Sequence, residues 1–137
     1  MINDTISELS NAIDDFLNAD LQSIRWDYKP APGKWSSKEI IGHLIDSASI
    51  NLQRFVRCTY EESFILTYDQ VEWVHAQLYQ EAEVDELLSL WRSLSLQIIR
   101  VLKNYPTERL RAKCNNSKTE LSLHTVEWLA QDYTDHL

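Results

Sequence analysis

Four histidines are the residues in this chain whose type could do chemistry near neutral pH: His43, His75, His124 and His136. A neutral imidazole offers a nitrogen lone pair to a divalent metal, or shuttles a proton. An α-helix turns about 100° per residue, so position along a helix converts to direction around it. In the stretch "KWSSKEIIGHLIDSASINLQRF", the apolar stripe covers roughly 160° and His43 sits about 60° beyond its edge at Ile40. Ser47, Ile50 and Arg54 share that column, which is expected to line a groove between helices. His136, near the end of the chain, lies about 20° from Leu129 on the rim of its own stripe. His124 is expected to face solvent, and His75, among Val71, Leu78 and Tyr79, to be partly buried. A catalytic metal site with an open position needs three protein ligands. Two edge histidines 93 residues apart do not make one, and each taken alone reads as a structural boundary residue in preference to a ligand.

The elements that must position these side chains are helices. The chain has two Gly and three Pro in 137 residues, too little turn chemistry for a multistranded sheet, and no strand of consequence is expected. A first helix is expected from Asp4 to Ala19, with Ile6, Leu9, Ile13 and Phe16 inward. Pro30, Pro32 and Gly33 break a connector that Trp26 and Tyr28 pin to the body. Ser36 and Glu39 form a capping box that starts the second helix, which runs to about Tyr60. Its inward face is read as Ile40, Ile41, Leu44, Ile45, Ala48, Leu52 and Phe55. After a loop, Asp69 caps a short helix. A long helix from Val84 to Asn104 carries Leu87, Trp91, Ile98 and Leu102 inward, and Pro106 ends it. A last helix begins near Ser122, with Leu123, Val126, Leu129, Ala130, Tyr133 and Leu137 inward. Four long helices and one short one in a single domain predict an all-α four-helix bundle.

Composition excludes several functions. With 13 Lys and Arg against 21 Asp and Glu, the net charge is −8, and there is no basic cluster to track phosphates, so no nucleic-acid partner is expected. No apolar run reaches the roughly 18 residues of a membrane span, and the acidic N-terminus is no signal peptide, so no membrane partner is expected. Cys58 and Cys114 belong to no C-x-x-C pair and read as reduced thiols of a cytoplasmic protein.

The motifs in order add a resemblance. Trp35-Ser36, Glu39, Gly42-His43-Leu44, Asp46 and Arg54 are followed by "YDQVEWVHAQLY" (Tyr68 to Tyr79) and "VEWLAQDYTDHL" (Val126 to Leu137). Together they resemble the DinB-like, or YfiT-like, superfamily of bacterial metal-binding four-helix bundles, over most of residues 1–137. The resemblance implies a divalent metal, Zn²⁺ or Ni²⁺, held by one histidine of the second helix and a His-x-x-x-His on the last. Carried over, these are His43 and His136, with the third ligand expected beyond Leu137, so the last helix reads as cut short. Asp46 is then a candidate to hold the other nitrogen of His43, and Arg54 to attract an anionic substrate or the carboxylate of a low-molecular-weight thiol. Arg54 reads equally as a surface ion pair. Asp132, four residues before His136, is a further oxygen donor, and His75 a secondary candidate. The implied activity is metal-dependent thiol transfer or hydrolysis of a small molecule. The alternative is a non-catalytic module that binds a small ligand or forms a homodimer, with a degenerate metal site.

Overall fold

A computed structural model describes residues 2–115 and 123–137. Helix α1 spans Ile2–Leu17, α2 Ser37–Arg57, α3 Gln70–Gln77, α4 Val84–Lys103 and α5 Val126–Asp135. Helices α1, α2, α4 and α5 form a four-helix bundle, with α3 the additional short helix packed on α2. The α2–α4 pair is the most extensive contact, and α1 lies against both α4 and α5. The core is the apolar stripes meeting: Leu9 and Ile13 of α1, Ile41 and Phe55 of α2, Trp91 and Ile98 of α4, and Leu129 of α5 are all buried. Phe16 meets the Trp91 ring edge-on at 4.9 Å between centroids, a geometry favoured by the aromatic quadrupole. No helix among the described residues is long and apolar enough to cross a membrane.

The start of α2 follows local rules. The Ser36 hydroxyl accepts from the Glu39 backbone N–H at 3.2 Å, and the Glu39 carboxylate accepts from the Ser36 N–H at 3.1 Å. Two of the four amides that a helix leaves open are thereby satisfied. Ser36 is fully buried, so water cannot replace its hydroxyl. Ser36→Ala is expected to lower stability by about 1 kcal/mol, read as a shifted urea midpoint with unchanged slope.

Several details differ from the sequence expectation. A small sheet is present: β1 (Phe64–Ile65) pairs in parallel with β2 (Lys113–Asn115), which pairs antiparallel with β3 (Leu123–Thr125). Cys114 stands opposite both Phe64 and His124. Strands of two and three residues are too short to show alternation, and they form because distant segments meet. The last helix accordingly starts at Val126, not near Ser122, with Thr125 capping it by accepting from Trp128 N–H at 3.2 Å. Leu123 belongs to β3, and Ser122 lies outside the described residues. Ile40 is 49% exposed, whereas Ile50, placed by its direction in the groove column, is buried. Helix α2 is covered on more than one side, by α4 and by α3, so its buried arc is displaced from the one that periodicity alone suggests.

Candidate functional site

His43, Ser47, Asn51 and Arg54 descend one side of α2, as their spacing requires. Leu129, Asp132, Tyr133 and His136 do the same at the end of α5. Together with the segment from Thr67 to Val71, these two helix faces enclose a crevice of about 500 Å³. That volume is within the small-molecule range. A second hollow of about 660 Å³ lies between the 24–28 connector and the start of α4. It has no histidine or cysteine on its walls, and its buried cation, Lys38, is paired with Asp27 at 2.8 Å.

The two histidines singled out by spacing therefore share one crevice. His43 is half-buried, its ring tilted against Trp35 with centroids 5.3 Å apart. Burial pushes its pKa below the ordinary imidazole value, so the neutral ring is favoured. Among the described residues nothing hydrogen-bonds to its buried Nδ1. His136 follows the last turn of α5 and is largely exposed. Its Nδ1 lies 2.7 Å from the Asp132 carbonyl. A carbonyl only accepts, so Nδ1 carries the hydrogen and Nε2 keeps its lone pair for a ligand. That carbonyl first, and the Asp132 carboxylate second, raise the His136 pKa.

The remaining candidates fall differently. Asp46 does not hold His43. It is buried, and its Oδ1 accepts from the Tyr79 hydroxyl at 2.6 Å and from the Gln77 amide. Three residues on from His43, it points about 60° away around the helix, toward α3. Burial raises its pKa against the pull of those two donors. Arg54 is no surface ion pair: it is buried, and it donates to the Leu66 carbonyl and to Asn51. Asp132 does line the crevice, 3.5 Å from His136 Nδ1. His75 does not; it is exposed on α3, where Val74 takes the buried direction. His124 sits on β3, half-buried and stacked on Trp128 at 3.5 Å between ring centroids. Both cysteines are buried, and Cys58 is pushed up to about 12 by desolvation, so it is a poor source of thiolate.

Sequence reading missed Asn51, Tyr68 and Tyr133 as crevice residues. Asn51 lies one turn past Ser47 on the groove column, which is the signal that could have found it. Tyr133 read as core, and it is both buried and on the crevice wall. Among the described residues no three His, Cys, Asp or Glu side chains converge to hold a metal ion.

Comparison with known proteins bears on this arrangement. A sequence model of the DinB superfamily matches residues 3–137. The fold matches a solved structure described as "YfiT from Bacillus subtilis is a probable metal-dependent hydrolase with an unusual four-helix bundle topology". The TM-score is 0.72 at 20% identity, covering 98% of this chain and 74% of that one. No curated protein matches the chain.

Proposed function

The chain belongs to the DinB superfamily, and from that membership we propose that its crevice is a divalent-metal-dependent site acting on a small molecule. The chemistry proposed is hydrolysis or thiol transfer. The observation that carries this reading is that His43 of α2 and His136 at the end of α5 line one crevice. The donor set fits a metal in part: two imidazoles of suitable type are present, and a third donor is not among the described residues. Asp132 offers an oxygen on the same wall.

When bound, Zn²⁺ or Ni²⁺ supplies a water or thiol acidified enough to act as nucleophile near pH 7. The chain's own residues prepare for it. Trp35 packs against the His43 ring, limiting its swing, and burial keeps that ring neutral. The Asp132 carbonyl orients His136 with Nε2 free. Leu44, Val71, Leu129 and Leu137 form the apolar part of the wall, against which the apolar side of a bound molecule would pack. Thiol transfer at this site draws its sulfur from a low-molecular-weight thiol, because both cysteines of the chain are buried away from solvent.

Equilibrium dialysis against Zn²⁺ and Ni²⁺ tests the reading. Binding is expected at pH 7.5 and lost in acid, since each ligating nitrogen must be unprotonated. His136, raised above 6.5, protonates first as pH falls, and His43, lowered below 6.5, protonates last. Affinity should therefore begin to fall above pH 6.5 and continue falling below it. A protein that takes up neither ion at neutral pH is the non-catalytic module instead, a reading favoured by the incomplete donor set.

A further inference from the structure

Arg54 is the unexplained charge in the crevice. It is 8% exposed, yet among the described residues every oxygen it donates to is neutral. Nε and Nη2 reach the Leu66 carbonyl at 3.2 and 2.7 Å, and Nη1 reaches Asn51 Oδ1 at 3.3 Å. Among the described residues no carboxylate stands within 4.0 Å of it. The Cys114 thiol, itself held neutral by burial, is a further hydrogen-bond partner. A guanidinium stays protonated in proteins, so among the described residues its charge is met by neutral groups alone. A buried charge without a counter-ion is costly, and here it lies on the wall of an open, ligand-sized crevice.

The two aspartates on that wall are engaged elsewhere. Asp69 caps α3, accepting from the Glu72 N–H at 3.1 Å. Asp132 sits 3.5 Å from His136 Nδ1; it favours the Arg54 charge from a distance without pairing with it. The Asp132 carboxylate still faces the crevice, so a monoanion is tolerated there better than a dianion. A carboxylate is a planar monoanion that matches the guanidinium fork. Ser47 and Gln70, both hydrogen-bonded to the Tyr68 hydroxyl, stand on the same wall and add no charge to it.

We propose that the crevice takes a small molecule carrying a single carboxylate, and that the buried guanidinium of Arg54 recognises that group. This rests on the crevice being the binding site proposed above, but not on the metal. The test is accordingly made on metal-free protein in chelator, following tryptophan fluorescence and calorimetry. Benzoate is expected to bind with millimolar affinity, with benzamide and inorganic phosphate about tenfold weaker or more. Arg54→Lys keeps the charge but not the fork, and should weaken benzoate roughly tenfold. Asp132→Asn removes a repulsive charge while leaving the Leu66 anchor alone, and should strengthen benzoate about two- to threefold. This variant decides the matter even if Arg54→Lys folds poorly. The proposal is overturned if benzamide or phosphate binds as well as benzoate, if Asp132→Asn weakens benzoate, or if benzoate fails to bind at about 50 mM. Benzoate binding without metal uptake would sink the metal reading and leave this one standing; the reverse result would do the opposite.

Discussion

His43→Ala is expected to abolish most of the proposed metal binding, with affinity for Zn²⁺ at pH 7.5 falling by roughly 100-fold or more. Losing a residue that merely supports a metal ligand already costs about 10- to 100-fold, and losing a nitrogen donor from an incomplete set should cost more. Competition against a chromophoric chelator measures it. His75→Ala and His124→Ala are the controls, because neither side chain lines the crevice, and both should bind as the parent does. His43 has a structural alternative role, packing against Trp35. That role predicts a modest loss of stability and no change in metal affinity, so the two outcomes separate cleanly. Unchanged Zn²⁺ binding in His43→Ala would remove the basis for a metal-dependent reaction in this crevice.

Gly42→Ala, one residue earlier, should cost roughly 3 kcal/mol of stability and lower the melting temperature by roughly 10 °C. In α2 this glycine faces the Tyr79 ring so closely that an added Cβ would lie 2.1 Å from ring carbon Cδ2. The ring cannot yield without consequence, because its hydroxyl donates to buried Asp46 at 2.6 Å. Displacing it takes a partner from a buried carboxyl whose Oδ2 already has none among the described residues. The usual gain of alanine over glycine in a helix, about 1 kcal/mol, is too small to offset the clash. A melting curve at or above the parent's would show that Tyr79 repacks freely and that the contact is not a constraint.

How much was legible depends on the range of the interaction. The Ser36–Glu39 capping box involves residues three apart, and it forms as read. The inward stripe of α4 was legible for the same reason: Leu87, Trp91, Ile98 and Leu102 recur with the helical turn and are buried. His43 and His136 could be placed on groove-facing edges because direction around a helix is local geometry. Asp46 reads as a partner for His43 one turn away, and that expectation fails because its actual partners, Tyr79 and Gln77, come from more than 30 residues away. Arg54 reads from its spacing equally as a surface ion pair, and only the Leu66 carbonyl, twelve residues away, holds it inside. The α-helical class and the family resemblance were readable; the small sheet was not, because its strands exist only where residues 64–65, 113–115 and 123–125 are brought side by side.

The amino-acid order by itself determined the helical class, the Ser36 and Asp69 caps, the inward stripe of α4 and the groove-facing direction of His43 and His136. All of these depend on the backbone repeat and on neighbours within about one turn. Only the tertiary structure decided that His43 and His136 share a crevice, that Arg54 is buried with no carboxylate within ion-pair reach among the described residues, and that Asp46 belongs to Tyr79. Those outcomes depend on how the bundle packs, and burial and pairing across helices are properties of two surfaces at once.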